Sequence, residues 1–398
     1  MRNCRSTLFV LVFAGIFALL MGPGLVSAEV GVTETTIKIG NIQDTTGMIA
    51  GYGLSRVEAT KALFQYINDE GGIHGRKLVL AHESDDYRPA NTIIAFKKLV
   101  EVDKVFAFIE CLGVSNAMAI APDVQRRKIP FTMMGGMSSK LYEPPRRYIF
   151  GLWPSYVDFH QTLVNYLARD LKMPKAKVAF LYQDSESGMD SKKGFLKGVD
   201  KYPEMKVVAM EKFDRRLVDY SAPVYKMRQA KPDAILVACV FTQGAAISKE
   251  IKKVGWKPLI LLDAANGDPL LIRLGGPAVE GVHAQKTLPP LSEDLPGINF
   301  YKTAIKKYYP KSKINPSLFG GTGFIEMWVG IEGLKRAGRN LTREGYIDAL
   351  ESFRNVEFGG MIPPVSYGPD KHWGQNKVLH AQVQGGKWVM KTGWRGPE

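Results

Sequence analysis

Apolar and polar residues alternate over Thr36–Ile42 (Thr-Ile-Lys-Ile-Gly-Asn-Ile), the spacing of a strand with one face in a core. Apolar positions then regroup at three- and four-residue steps as Ala59, Ala62, Leu63, Tyr66 and Ile67, one buried face of a helix. Between them runs a polar, Gly-rich loop, residues 43–53, and Gly71-Gly72 ends the helix because glycine takes the left-handed conformation at little steric cost. A second alternation, Leu78-Val79-Leu80, leads to Asp85-Asp86. Strand, loop, helix, turn and strand make a βαβ unit, whose first loop falls where open α/β sheets bind ligands.

The same pattern recurs downstream. Helices are predicted over 94–100 and from Ala117 to Val124, with strands over 105–109 and 129–134 and a closing apolar run over 148–154. A second set follows: helix 157–171, strands 177–182, 206–210, 234–239 and 259–262, and helices 222–229 and 245–254. Alternating strands and helices predict parallel sheets covered on both faces, and two sets predict two similar lobes. After residue 286 helices dominate (296–309, 318–336, 343–353), with Gly338 as a stop and Thr342 as a cap. The tail reads as strands over 363–367, 378–383 and 387–390, the last two joined by a Gly385-Gly386 turn.

The run Tyr66-Ile67-Asn68-Asp69-Glu70-Gly71-Gly72-Ile73-His74-Gly75-Arg76-Lys77-Leu78, followed by Asp85 and Pro89-Ala90, resembles the amino-terminal signature of the leucine/branched-chain amino-acid-type periplasmic binding proteins of ABC importers. The resemblance continues through nearly the whole chain after residue 28. It implies the α/β fold of a type I periplasmic binding protein, two Rossmann-like lobes with three hinge crossovers and a ligand cleft between them. Carried onto this sequence, the crossings fall near Gly151, Lys286 and Asn355. The N-terminal lobe would then comprise 29–150 plus 287–354, and the C-terminal lobe 151–286 plus 355–398.

Charge and cysteine content narrow the class. There are 53 basic and 39 acidic residues, a net +14, or +12 without Arg2 and Arg5. Lysine pairs such as Lys192-Lys193 and Lys306-Lys307 are spread along predicted helix faces, which favours a solvated surface over nucleic-acid binding. Arg2 and Arg5, the apolar stretch 8–21 and Val26-Ser27-Ala28 read as a signal peptide cleaved near Ala28, so export to the periplasm is expected, with residues from Glu29 onward a soluble monomer. Beyond the leader only Cys111 and Cys239 remain; each lies in a strand-like run and is expected to be a buried free thiol.

The chemistry expected is binding. No Gly-x-Ser-x-Gly elbow, phosphate-binding Gly-Lys-Ser/Thr loop, His-Glu-x-x-His helix or Cys-x-x-Cys pair occurs. The six histidines (His74, His82, His160, His283, His372, His380) are scattered without metal-ligand spacing and read as surface or turn residues. No catalytic residue, metal or cofactor is therefore expected. Candidate ligand contacts come from loops at strand ends, where helix amino-termini and backbone N–H groups favour an anion. They are Tyr52; Val114 and Ser115; Gly135, Gly136, Met137 and Ser138; and, in the second lobe, Trp153, Tyr156, Ser187, Phe241, Gln243 and Asp263. Core packing is the competing reading for Trp153 and Phe241, and ordinary turn chemistry for the glycines. The resemblance implies an aromatic wall near Tyr52 and, in amino-acid binders, first-lobe hydroxyls on the ligand carboxylate and an acid opposite its ammonium. Here Val114 and Met137 replace two hydroxyl positions, and Ala264 stands at the acid's position with Asp263 beside it. An unpaired buried ammonium costs several kcal/mol. The expected guest is therefore a small carboxylate, amide or aromatic acid rather than a simple branched-chain amino acid, delivered to an ABC permease in the inner membrane. A ligand-sensing subunit for a receptor is the alternative; a hydrolase, with Ser115 or Ser187 as nucleophile, comes third.

Overall fold

Two separate, mostly parallel sheets carry the strands. The computed structural model describes residues 29–47, 49–135 and 137–398; the expected leader and the candidate contact Gly136 lie outside the described residues. In the first sheet β1 (Thr36–Ile42) pairs in parallel with β2 (Lys77–Glu83) and β3 (Ala107–Leu112), and β4 (Phe131–Gly135) and β5 (Ile149–Phe150) follow, giving the order β2-β1-β3-β4-β5. The second contains β6 (Lys177–Gln183), β7 (Lys206–Phe213), β8 (Ala234–Ala238), β9 (Leu259–Leu262) and β10 (His283–Lys286), with β11 (Leu379–Gln384) and β12 (Lys387–Met390) added antiparallel at one edge; its order is β12-β11-β10-β9-β8-β6-β7. Parallel neighbours need crossover connections, and helices supply them.

In the first lobe the crossovers are α1 (Ala50–Asp69), α2 (Pro89–Glu101) and α3 (Val114–Arg126). In the second, α4 (Tyr156–Asn165) leads into β6, and the crossovers are α5 (Glu186–Val199), α6 (Ser221–Gln229), α7 (Phe241–Lys253) and the short α8 (Pro269–Gly275). The late helices α9 (Pro296–Tyr308), α10 (Leu318–Ala337) and α11 (Arg343–Glu351) return to the first lobe, where Phe324, Met327 and Ile331 share a core with Ala59, Leu63 and Ile109. The second lobe has its own cores on the two faces of its sheet, one around Ile235, Val237 and Leu262 and one around Phe180, Leu236 and Leu261.

Several expectations differ from the structure. Helix α5 is absent from the helices delimited by apolar spacing, although Lys192-Lys193 is expected on a helix face. Its inward face is small: a Cβ on Gly194 would stand 2.2 Å from the Val157 carbonyl oxygen, and one on Gly198 2.8 Å from the Val164 Cβ. Glycine there lets α5 lie against α4, at the expense of the apolar periodicity that would announce a helix. The expected strand over 363–367 is a single bridge between Val356 and Val365, since Pro363 and Pro364 have no N–H to donate to a ladder. The third crossing also moves. Phe358, Met361, Ile362, Val365 and Tyr367 sit in the first lobe's core, so the chain changes lobes between Gly374 and Val378 rather than at Asn355. There it runs beside the first connection: the Gly151 N–H donates to the His372 carbonyl and Gly374 N–H to the Gly151 carbonyl, each at 2.9 Å. Finally, His160, His283, His372 and His380 are buried core residues rather than surface ones; His372 stacks on Phe150 and His380 on Tyr166. Among the described residues Cys111 and Cys239 are buried free thiols, and no helix is long and apolar enough to cross a membrane.

Candidate functional site

The carboxyl ends of both sheets face each other across a cavity of about 160 Å³, comparable to a pocket that holds one benzene-sized ring. From the first lobe come Tyr52 at the start of α1, Tyr87 after β2, Leu112 ending β3 and Gly113 after it, Met137 after β4, and Leu318 and Phe319 opening α10. From the second come Tyr156 and Phe159 of α4, Phe241 at the start of α7, Asp263 after β9 and Lys286 ending β10. This is the crevice beyond the strand ends where open parallel sheets take their ligands.

Aromatic rings bridge the lobes. Tyr52 lies 3.5 Å from Phe319 and 5.4 Å from Phe241 between ring centroids, and its hydroxyl donates to the Ala265 carbonyl across the cleft at 3.3 Å. Arg215 of the second lobe sits 4.5 Å from the Tyr87 ring centroid, a cation–π contact between lobes. A second polar tie stands beside the cavity: Asp190, on α5, accepts from the Ser138 hydroxyl at 2.7 Å and from the Ser139 N–H at 3.1 Å. The lobes are thus closed on one another.

The polar groups of the cavity fall into two sets. On the first lobe, Arg56 is paired with Glu326 and lies 3.3 Å from Glu110; Glu326 also accepts from the Trp153 indole N–H at 2.5 Å. One cation cannot neutralise two buried carboxylates. Burial, with Glu326 adding to it against the pull of Arg56, pushes the Glu110 carboxyl up to about 8. Asn41 and Gln43 donate to its Oε2 at 2.8 and 3.0 Å. Gly113 precedes α3 with φ +102, which favours glycine, and a Cβ there would meet the Tyr87 ring at 2.7 Å. No side chain caps α3, so its first-turn N–H groups, just behind the Gly113 that lines the cavity, lack helical acceptors, an arrangement that suits a carboxylate.

On the second lobe, Asp263 accepts from the Ala265 N–H at 3.2 Å and the Asn266 amide at 2.9 Å through Oδ1, and burial raises its carboxyl to about 7. Its Oδ2 faces His160 Nε2 at 4.0 Å, too long for a hydrogen bond. Burial holds that imidazole near 4, so it is neutral at pH 7. Asp268 caps α8 by accepting from the Leu270 N–H at 2.8 Å, and Lys286 donates to the Gly267 carbonyl.

Of the contacts expected from sequence, the structure places Tyr52, Met137, Trp153, Tyr156, Phe241 and Asp263 on the cavity wall, Trp153 packed in the core of the first lobe rather than the second. Val114 and Ser115 lie in the first turn of α3, outside the lining, and Gly135 ends β4. Ser138 is spent on the tie to Asp190, and Ser187 bonds Ser185 at 3.0 Å on α5. Gln243 is occupied by Gln183 and by the Arg215 carbonyl, at 2.8 and 2.9 Å. Sequence reasoning missed Arg56, Tyr87, Asp268, Lys286, Phe319 and Glu326. For Glu326 a signal existed: a carboxylate inside the apolar run Phe324-Ile325-Glu326-Met327-Trp328. Among the described residues no group of three His, Cys, Asp or Glu side chains is placed to hold a metal ion.

The family model for periplasmic binding proteins matches residues 36–387. Leu/Ile/Val-binding protein homolog 7 of Brucella suis is 23% identical over 266 residues, 65% of this chain; the match spans 64% of that relative, under two thirds of its length. Homolog 8 of the same organism is 21% identical over 355 residues, covering 86% of this chain and 82% of the relative. Among solved structures, a branched chain amino acid ABC transporter protein from Thermus thermophilus with bound valine superposes with a TM-score of 0.82 at 22% identity, covering 92% of this chain and 97% of its own. A fatty acid ABC transporter substrate-binding protein from Thermomonospora curvata gives 0.78 at 24%, covering 93% and 94%. These likenesses show the two-lobed α/β fold.

Proposed function

The chain belongs to the periplasmic binding protein family, and from that premise we propose that its guest is a small aromatic carboxylate, held by closure of the two lobes and passed to the permease of an ABC importer. The observation that carries this reading is the wall of Tyr52, Tyr87, Trp153, Tyr156, Phe241 and Phe319 around a cavity of about 160 Å³. Flat faces on both lobes suit a ring better than a branched aliphatic side chain. The uncapped start of α3 supports a carboxylate at one end. The family binds solutes and makes or breaks no bond in them. Export and a monomeric state are part of the same proposal.

Asp263 favours a second reading, an aromatic α-amino acid, because its buried carboxyl stands on the cavity wall, where its ionised form suits an ammonium. Calorimetric titration with benzoate, phenylacetate, phenylalanine and leucine separates the two. The expected result is saturable one-to-one binding of benzoate or phenylacetate. It comes with proton uptake at pH 7, since an anion enclosed with Asp263 favours the protonated carboxyl. Phenylalanine binding with proton release would select the second reading, because an ammonium favours the ionised form. Tight binding of leucine with none of the aromatic acids would overturn both.

A further inference from the structure

The inner cavity does not end at Phe319. A second hollow, of about 780 Å³, opens off it toward solvent, and the two share Asp268, Lys286, Leu318 and Phe319 as a common sill. Beyond that sill its walls are largely apolar, with Leu270, Ile272, Leu291, Pro316 and Trp388 contributed by both lobes. Its charges are mostly positive: Lys286, Arg273, Lys313 and Lys387 against the single carboxylate of Asp268, which is engaged in capping α8.

Lys286 is the unusual member. It is 3% exposed, the one buried lysine among the described residues, and its ammonium donates to a backbone carbonyl, that of Gly267, with the Trp388 ring centroid 5.3 Å away. Burial lowers its pKa to about 8, against the pull of Asp268. An ammonium carries three donors, and a buried cation without a directly bonded counter-charge is costly. Placed on the sill between an aromatic cavity and a cation-rimmed apolar hollow, it would gain from an anion arriving by either route.

We propose that the guest is elongated: an aromatic acid whose ring fills the inner cavity, with an apolar tail that passes over Lys286 into the outer hollow and ends there in a second anionic group. This rests on the aromatic-carboxylate reading above and extends it by naming the length and charge of the guest.

The test compares benzoate with para-(carboxyalkoxy)benzoates of increasing tail length, and with the tail methyl ester of each, by calorimetry on the full exported protein. At least one diacid is expected to bind about tenfold tighter than benzoate, its ester to lose that gain, and the double variant K313E/K387E to lose it too while holding benzoate within about twofold. Benzoate binding with no gain at any tail length overturns the elongated guest and leaves the aromatic reading standing. An ester as tight as its diacid, or a gain that survives the charge reversal, overturns the anionic terminus and with it the proposal. No binding by any member overturns this inference and the reading beneath it together.

Discussion

Arg56 stands between two carboxylates at the floor of the cavity, and only Glu326 receives a close ion pair from it. Glu110 therefore keeps its proton well above the ordinary glutamate range, up to about 8, while in the unfolded chain it would lose it near 4.5. Between those values the native state binds more protons than the unfolded state, so this residue's contribution to stability is fullest below about 4.5 and is lost as pH rises through about 8. Glu110→Gln holds a neutral group at every pH. Its melting temperature relative to wild type should climb steadily from pH 5 to pH 8; parallel melting curves across that range would show that Glu110 titrates normally. This cluster also explains why half the site was hidden in the sequence. Arg56 and Glu326 are 270 residues apart and meet only after α1 and α10 pack, so no local pattern joins them. Tyr52, Met137, Trp153, Phe241 and Asp263 were legible because each lies just beyond a strand or at the entry to a helix, where the topology itself predicts a crevice.

At the scale of elements, strands and helices were readable wherever burial imposes a period. The strand β1 alternates, β6, β8 and β9 are short apolar runs, and apolar residues recur at helical spacing in α1 (Ala59, Ala62, Leu63) and α10 (Phe324, Met327, Ile331). Helix α5 buries only Phe195 and Val199 as large apolar side chains, because contact with α4 is made largely through glycine backbone. That packing is testable. Gly194→Val would drive a branched side chain into the Val157 carbonyl, and overpacking of this kind costs roughly 1–3 kcal/mol. Chemical denaturation should show a lower midpoint with an unchanged slope. A variant as stable as wild type would mean that α4 and α5 do not pack this closely. The tail was misassigned for a related reason. Residues 356–374 reach the first lobe's core through irregular backbone, with Tyr367 donating to the Gly151 carbonyl at 3.0 Å, and irregular backbone leaves no periodic trace.

For the whole molecule, what matters is that each lobe has a complete core of its own, while the contacts between lobes are few and polar or aromatic. Tyr52 to Ala265, Arg215 to Tyr87, and Ser138 and Ser139 to Asp190 exist only when the halves are shut. Such contacts are each worth about 1 kcal/mol, somewhat more where a charge is involved, and must repay the loss of freedom between lobes. Without a guest the balance should favour opening; a guest that touches both lobes tips it toward the closed form. Small-angle X-ray scattering of the purified protein, alone and with saturating benzoate, tests this most directly. The free protein should scatter as a more open particle, and benzoate should lower its radius of gyration to that calculated for the closed structure described here. One scattering profile for both samples, under conditions where calorimetry shows benzoate bound, would contradict closure around a guest.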